Sequence, residues 1–464
     1  MGDRIGVKVV VSQGALNHFK DKIMPYAEAK VMAAHFDDME SQKKVRGFGK
    51  VKLEVREFVL TSFHVSSSSI ELVSPNSLVV SFSGVDIRVE MRWRYHLRRF
   101  HTSDSGRGEA KTEGSNVGIV FVLGTDAQGR PTATISDCWV GISHFHMRLH
   151  NHLTWLYDAL IDLFRGQIVR SIERAVRHAI TSDLQNAINR MLSRIPIQEH
   201  VGKDCVIDYR LTSPGGIFIT PERQLITQSP GEFYWEHENP GHSPGMAVLM
   251  PNDENGSMFQ IFISAFSIRS FCHASMRSGK LNRDFFSDSS IVPMPFFTTG
   301  FYLKHVPGLV SKYGTDKSVS FRFELHETPT VAISQEKKVT AAANIEMALR
   351  VHTSAESFEN ALSFVLRTTC TGTAKVNDNL ITGEIIDVHS KADLLRSSVG
   401  DVDTDIVTEI TMNFLNMLKP EFNKKLARGA PLPWMKGIQY VNPQVHYHDG
   451  FIVVTTDVIF TPDF

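Results

Sequence analysis

The chain has 464 residues, of which 42% are hydrophobic and 21% are charged, and its net charge at pH 7 is −1. At about 150 residues per domain this length predicts roughly two to four domains, each large enough to bury a core. The near-neutral charge argues against a nucleic-acid partner, and no apolar run approaches the ~20 residues that a transmembrane helix needs.

The first half predicts a strand, a helix, a sheet and a long helix, in that order. Residues 7–11 form an apolar strand pattern, and Ser12 is placed to cap a helix in which Pro25 predicts a kink or break. Short β-prone runs from 50 to 147, separated by turn residues, predict an antiparallel sheet. An apolar ridge from about 150 to 194 predicts a helix on the order of 60 Å long, which needs an elongated sheet to lie on.

The second half repeats this plan. A strand and a helix capped by Ser264 come first, strand patterns fill roughly 300–390, and a second long helix is predicted at about 403–428. Each long helix runs into a proline stop, and the strand that follows carries a tyrosine, Tyr209 in the first half and Tyr440 in the second. A repeat of roughly two hundred residues predicts a duplicated domain rather than a solenoid.

A stretch dense in proline and glycine at 238–245 separates the two copies. We therefore predict an N-terminal domain at 1–236, a linker at 237–251 and a C-terminal domain at 252–464.

The strongest local signal is the segment 90–100. As a strand it places Arg92, Arg94, His96 and Arg98 on one face and Met91, Trp93, Tyr95 and Leu97 on the other. A basic face backed by aromatic residues suits an anionic membrane surface or a lipid phosphate, because arginine binds phosphate bidentately. The alternative is a solvated strand face above an aromatic core. A second basic turn contains Lys43, Lys44, Arg46 and Lys50.

Other clusters of histidine and aspartate give weaker indications of function. The histidines at 144, 146, 150 and 152 straddle a predicted helix start, so we expect no metal site there. Asp401, Asp403 and Asp405 lack the glycine and glutamate of a calcium loop and are better placed to favour the start of the second long helix. No nucleophile elbow, phosphate-binding glycine loop or zinc-protease motif is present, so we predict a protein that is not an enzyme and needs no cofactor.

Five segments, in order along the chain, resemble the family of bactericidal/permeability-increasing protein and lipopolysaccharide-binding protein. They are Gly6-Val7 with Ser12 to Leu16, Arg56-Glu57-Phe58, His144-Phe145-His146, Gly231 to Glu236 before the proline-rich stretch, and Asn423 to Pro433. The similarity runs from about residue 5 to the C-terminus.

This resemblance implies an α+β fold in the shape of an elongated boomerang. Two similar half-barrels, each an antiparallel sheet wrapped on a long helix, are joined by a central antiparallel sheet. An apolar groove in each half holds the acyl chains of a bound phospholipid. On this basis the groove residues are expected to be Leu16, Phe19, Ile23, Leu160, Phe164, Ile168, Ile268, Cys272, Phe414 and Leu418. The anionic-lipid-binding tip is expected to consist of Lys43, Lys44, Arg46, Lys50, Arg92, Arg94, Arg98 and Arg99.

The compartment is less clearly indicated. The family carries a disulfide between the strand before the first long helix and that helix; Cys138 matches its first cysteine, but the partner position falls near Ile172-Glu173. The start of the chain shows no signal-peptide pattern, whereas Asn255-Gly256-Ser257 is a glycosylation sequon. The resemblance implies an extracellular protein, and an intracellular one is the alternative.

The sequence thus predicts a lipid-binding protein of the innate-immunity type. Its partners are phospholipids, anionic lipid or lipopolysaccharide, and a membrane surface that it touches peripherally. The alternative is a lipid-transfer protein that docks on membranes without lipopolysaccharide specificity. A third hypothesis, a lipid-modifying hydrolase, has no catalytic motif to support it.

Overall fold

The computed structural model describes residues 5–33, 36–45, 49–150, 154–212, 215–252, 256–288, 292–354, 356–433 and 437–461, with the side chains of 45, 154–160 and 163 also outside the description. The strands of the first half are β1 (Val7–Val11), β2 (Met39–Val45), β3 (Gly49–Val73), β4 (Ser77–Leu97), β5 (Thr102–Thr125), β6 (Pro131–Gly141), β7 (His146–His150), β8 (Gln198–Val201), β9 (Cys205–Asp208), β10 (Ile217–Ile219), β11 (Leu225–Ser229) and β12 (Glu232–Trp235). Its helices are α1 (Gln13–Met32), α2 (Thr154–His178) and α3 (Gln185–Ser193), the last two joined by a π-helical turn at Ala179–Leu184.

The second half follows the same order. Its strands are β13 (Phe259–Ser264), β14 (Arg283–Phe285), β15 (Val319–Leu325), β16 (Thr330–Ser334), β17 (Lys338–His352), β18 (Phe358–Asn377), β19 (Leu380–Ser397), β20 (Ala430–Pro431), β21 (Ile438–His448) and β22 (Phe451–Phe460). Its helices are α4 (Ala265–Arg277), α5 (Pro307–Tyr313) and α6 (Thr404–Leu426), with 3-10 turns at Met294–Phe297 and Thr299–Tyr302. None of the helices in the described ranges combines the length and the apolar character needed to cross a bilayer.

A central six-stranded sheet joins the two halves, in the order β10-β11-β1-β13-β22-β21. The first strand of each half lies at its middle, where β1 and β13 pair antiparallel with Val7 opposite Ile263. All five residues of β1 are buried, including Lys8, whose Nζ donates to the carbonyl oxygen of Met250 at 2.6 Å. The two halves therefore share a continuous hydrogen-bonded sheet, and the predicted duplication is confirmed in the element order.

Each half also has its own long sheet wrapped on its long helix. The first sheet runs β2-β3-β4-β5-β6 with β7 on β5, and the second runs β14-β15-β17-β18-β19-β20 with β16 on β17. Strands β3, β4 and β5 have 25, 21 and 24 residues, far longer than the short runs that the sequence suggested. Serine and glycine interrupt the apolar pattern there without ending the strands, because register shifts absorb the irregularities. The expected α+β fold of two half-barrels on a central sheet is confirmed.

The helices correct three sequence predictions. Helix α1 continues through Pro25, so the expected break does not occur. Ser12 caps α1 by accepting from Ala15 N at 3.3 Å, whereas Ser264 occupies the same position before α4 and makes no side-chain cap hydrogen bond. Part of the region predicted as strands at 300–390 is instead helical, in the 3-10 turn that ends at Tyr302 and in α5. Asp403 caps α6 through Asp405 N and Ile406 N, as the acidic triplet suggested.

In each half, one asparagine of the long helix hydrogen-bonds to the backbone of the edge strand of the sheet. In the first half Asn189 accepts from Ala133 N at 3.0 Å and donates to Ala133 O at 2.8 Å. In the second half Asn423 accepts from Ile385 N at 2.8 Å and donates to Ile385 O at 3.1 Å. An edge strand otherwise exposes unpaired backbone groups. These two contacts fix each long helix against its sheet by the same geometry.

The two repeated tyrosines converge on the second proline stop. The hydroxyl of Tyr209 donates to Pro431 O at 2.5 Å, and that of Tyr440 donates to Pro433 O at 2.6 Å. Both side chains are buried, and burial raises the pKa of each phenol above its ordinary value of 10. The hydrogen bond of Tyr209 thus links the first half to the proline segment that follows α6 in the second half.

Candidate functional site

Strand β4 has the two faces that its sequence predicts. Met91, Trp93, Tyr95 and Leu97 are buried, while Arg92, Arg94 and His96 are exposed. Trp93 Nε1 donates to Arg107 O at 2.9 Å, and the rings of Trp93 and Tyr95 stack with their centroids 5.9 Å apart. The inner aromatic row anchors the strand in the core and holds the basic row at the surface.

Two turns bring basic residues together at the free end of this sheet. Lys44 on β2 lies opposite Lys50 on β3, and the backbone N–H of Arg98 donates to Lys50 O at 3.2 Å. The turn continues through Arg99 to Phe100, whose ring is 53% exposed. We call Lys44, Lys50, Arg98, Arg99 and Phe100 the basic end. Arg46, expected in the same cluster, lies outside the described residues.

The other predicted tip residues are less available for an anionic ligand. Arg92 pairs with Glu57 at 2.9 Å, and Arg94 lies opposite Glu54 in the strand register. A hydrogen bond from Lys52 lowers the pKa of Glu54, and the charges of neighbouring arginines add to this effect. The Nζ atom of Lys43 lies 5.6 Å from the ring centroid of the buried Phe164.

Three residues of the basic end have no ion pair with any described residue. Among the described residues, no carboxylate lies within ion-pair distance of Lys44, Lys50 or Arg98, and all three side chains are exposed. Of the eight predicted tip residues, these three are the best placed to meet an anionic surface.

The strand register reveals a basic row that the sequence did not. Arg56, Arg92, Arg107 and His150 lie directly opposite one another on β3, β4, β5 and β7, and all four are exposed. Like charges in direct opposition destabilise a sheet, and here two carboxylates offset them, Glu54 by pairing with Arg56 at 3.1 Å and Glu57 by pairing with Arg92. No pattern within one strand signals the row, because it depends on which residues the pairing places side by side. The described residues contain no metal-binding cluster of histidine, cysteine or acidic side chains.

Each half contains an apolar cavity beside its long helix. The C-terminal cavity encloses about 470 Å³ and the N-terminal cavity about 410 Å³ of space outside protein atoms, part of it open to solvent. The room left inside them is much smaller, about 30 Å³ in the C-terminal cavity and about 20 Å³ in the N-terminal one, which is little more than one water molecule occupies. Each cavity must therefore widen before it can admit an acyl chain. Aromatic side chains dominate the C-terminal cavity, which is lined by Phe296, Tyr302, Phe321, Phe323, Phe364 and Phe414 among others. Aliphatic residues of α1 and the π-helical turn line much of the N-terminal cavity, including Met24, Ala27, Val31, Ala179, Ile180 and Leu184.

The predicted groove residues of the first half lie beside its cavity rather than in its lining. Phe164 and Ile168 are fully buried in the barrel core, and the side chain of Leu160 lies outside the described residues. Leu16, Phe19 and Ile23 pack in the cluster around the central sheet. The N-terminal part of α1 therefore faces the central sheet, and its later turns face the cavity.

In the second half, Phe414 lines the cavity and Leu418 is buried in the same core. The ring of Phe414 stacks on that of Phe323, with their centroids 5.4 Å apart. Ile268 and Cys272 lie on α4, away from the lining, and burial raises the pKa of the Cys272 thiol to about 11. The assignment of all ten residues to lipid contact stays a prediction.

Two family models match the chain, one in each half. The model of the LBP / BPI / CETP family, N-terminal domain, matches residues 15–187, and that of the C-terminal domain matches residues 199–460. The second model alone covers more than half of the chain.

The chain belongs to the LBP/BPI/CETP family.

Its relatives match it almost from end to end. Bactericidal permeability-increasing protein of Rattus norvegicus is 23% identical over 97% of this chain and 92% of its own length. Lipopolysaccharide-binding protein of Homo sapiens is 23% identical, with 96% of this chain and 93% of that protein covered. A crystal structure of lipopolysaccharide binding protein has a TM-score of 0.62 at 19% identity and covers 99% of this chain and 100% of the other. These comparisons confirm the family and its fold.

The structure also bears on the missing family disulfide. Cys138 is a buried free thiol on β6, and a guanidinium N–H of Arg177, from the long helix, donates to its carbonyl oxygen. Together with Asn189, this hydrogen bond links the strand to the helix without a covalent bridge. Asn255 of the sequon lies outside the described residues.

Proposed function

We propose that this chain is a lipid-binding protein that shelters the acyl chains of a phospholipid in each half. The observation that carries the proposal is the pair of apolar cavities, one beside each long helix. Such a cavity favours hydrocarbon because transfer of apolar surface out of water is favourable by about 25 cal/mol per Å². The cavity walls consist of side chains that belong to the barrel cores. The proposal therefore requires α1 and α6 to move outward from their sheets when an acyl chain enters.

The basic end is the proposed contact with anionic lipid, including lipopolysaccharide. Lys44, Lys50 and Arg98 have no ion-pair partner in the part of the chain that the structure describes, and they present three charges on one end of the sheet. Phe100 adds an exposed ring among them. Each basic group near an anionic surface contributes about 1 kcal/mol. The names of two relatives, the bactericidal and the lipopolysaccharide-binding protein, support lipopolysaccharide as one such lipid.

Neutralising these charges tests the proposed contact. We expect K44Q/K50Q/R98Q to bind phosphatidylglycerol vesicles and lipopolysaccharide about 100-fold more weakly, because three groups at about 1 kcal/mol each sum to about 3 kcal/mol. The matched control, K22Q/K203Q/K337Q, removes the same charge from exposed lysines elsewhere and should bind as the wild type does. Equal affinities of the two triple variants would exclude the basic end as the contact.

A lipid-transfer protein without lipopolysaccharide specificity is the second candidate, favoured by the exposed ring of Phe100 at the basic end. It predicts that K44Q/K50Q/R98Q loses adsorption to anionic vesicles, while wild-type binding to lipopolysaccharide is no tighter than to phosphatidylglycerol. We further propose an extracellular location, where lipopolysaccharide is encountered, although the four cysteines are free. Detection of the tagged full-length protein in culture medium rather than in cell lysate tests that location.

A further inference from the structure

One segment of the second half has no counterpart in the first. The edge strand and its neighbour are β2 and β3 in the first half and β14 and β15 in the second. Residues 46–48 separate the first pair, whereas residues 286–318 separate the second. Val292–Tyr313, which we call the cap, makes up two thirds of this insertion. It contains two 3-10 turns and α5, and it lies against the start of β15.

The cap is apolar on both of its sides. On the inner side Phe296, Tyr302 and Val306 line the C-terminal cavity. On the outer side Met294 is 60% exposed and Leu303 is 50% exposed. Closing a barrel requires only the inner side to be apolar, so closure does not account for the exposed Met294 and Leu303.

The composition of the cap indicates a lipid surface as the partner of its outer side. Residues 292–313 contain Lys304 and Lys312 but no aspartate or glutamate, together with three prolines and five phenylalanine or tyrosine residues. Exposed aliphatic side chains beside lysines and aromatic rings are typical of segments that lie in a membrane interface. The inner side packs in the barrel core whatever binds outside, so the choice between a lipid surface and a protein partner rests on the outer composition, in which two lysines and no acidic residue favour lipid.

The middle of the cap is held to the sheet by few backbone contacts. Thr299 N donates to Lys317 O and Gly300 N to Thr315 O, both at 2.9 Å, and Thr298 forms an isolated bridge with Ser318. Its 3-10 turns have poorer hydrogen-bond geometry than an α-helix. The buried Nδ1 atom of His305 has no hydrogen-bond partner among the described residues. Lifting the cap also uncovers Phe297, Tyr302, Val306 and Leu309, each at most 3% exposed, so opening is favourable only where a lipid surface takes up these side chains.

We propose that the cap is the gate through which lipid enters the C-terminal cavity, opened when Met294 and Leu303 enter a lipid surface. This inference rests on the proposed function, because it requires that the cavity holds lipid. It places entry at the end of the second half-barrel, separate from the basic end of the first. The uncharged, aromatic lining behind the cap suits the hydrocarbon part of the ligand, and the lysines of the cap remain at the surface.

A reversible crosslink tests the gate. Antiparallel partners lie ~4.5–5.5 Å apart between Cα atoms, which a disulfide can span, so T298C/S318C should tie the cap to β15. After incubation of the full chain with phosphatidylcholine vesicles, native mass spectrometry should find two lipids per chain in the wild type. The oxidised variant should hold one, and reduction should restore the second. Equal loading of the oxidised and reduced variant would overturn the gate.

A second variant pair needs no new covalent bond. We expect M294S/L303S to load its second lipid at least tenfold more slowly, since the substitutions remove the apolar side chains that enter the lipid surface. The matched control is M246S/L249S, in which the replaced side chains are 73% and 96% exposed but lie in the linker region. Equal loading rates of the two variants would exclude the cap as the gate. If the wild type binds no lipid at all, the proposed function fails, whereas unchanged loading of a lipid-binding protein refutes only the gate.

Discussion

Asn423 fastens the second long helix to the edge of its sheet, and its removal should be measurable at one backbone amide. Its side chain accepts from Ile385 N at 2.8 Å and donates to Ile385 O at 3.1 Å. Asn423→Ala removes both bonds and leaves the two backbone groups of Ile385 facing the helix. Because α6 carries Phe414 into the C-terminal cavity, this contact also positions the cavity wall.

The magnitude follows from the two lost bonds. A hydrogen bond in a folded protein contributes about 0.5–1.5 kcal/mol net, so two contribute about 1–3 kcal/mol. Alanine is a better helix former than asparagine by roughly 0.5 kcal/mol, which offsets part of the loss. We therefore expect a net destabilisation of about 0.5–2.5 kcal/mol, equivalent to amide exchange at Ile385 that is roughly 2–70 times faster.

Hydrogen exchange read by mass spectrometry on a peptide that contains Ile385 measures this directly. The matched control is Asn413→Ala on the same helix, because Asn413 is exposed and gains the same helix propensity without losing a contact to β19. Its exchange at Ile385 should stay unchanged. Exchange that is equally slow in Asn423→Ala and Asn413→Ala would refute the claim that Asn423 secures this edge.

Two further predictions concern the glycine under Trp139 and the buried tyrosines. A Cβ atom at Gly118 would lie 1.8 Å from Cζ2 of Trp139, so Gly118→Ala should displace the ring and lower the melting temperature. The same substitution in a Trp139→Ala background should lower the melting temperature much less. Burial raises the pKa of Tyr209 and Tyr440 above 10, so the folded state holds these protons more tightly than the unfolded one. The stability that this provides is complete below about pH 10 and is lost as the pH rises further. In urea unfolding, Tyr440→Phe should therefore lose less free energy of unfolding between about pH 9 and 11 than the wild type does. An identical loss in both proteins would contradict this assignment.

The sequence predicted the features that depend on local pattern. The alternation from Met91 to Leu97 set the two faces of β4 correctly, because a strand has a period of two whatever it pairs with. The repeat of long helix, proline stop and following strand was confirmed, although Tyr209 lies one residue beyond β9 whereas Tyr440 lies within β21. Each of these elements has its own local signature.

Features that depend on pairing between distant segments were not predicted. The ion pair of Arg92 needs Glu57 at a positive φ of 52° beside a register shift, which no spacing in β4 reveals. Helix α1 has a single apolar ridge in sequence, but Phe19 faces the central sheet while Val31 lines the N-terminal cavity. The segment that holds Phe301 and Tyr302 resembled a strand because its aromatic residues favour strands, although tertiary packing makes it 3-10 helical.

The central claim is that each half holds a lipid, and counting bound lipids on the intact chain tests it most directly. The purified protein, incubated with phosphatidylcholine vesicles and separated from them, should show two bound phospholipids per chain by native mass spectrometry. Organic extraction of the same sample should return the same number. A chain that carries no lipid, or never more than one at saturation, would contradict a lipid site in each half.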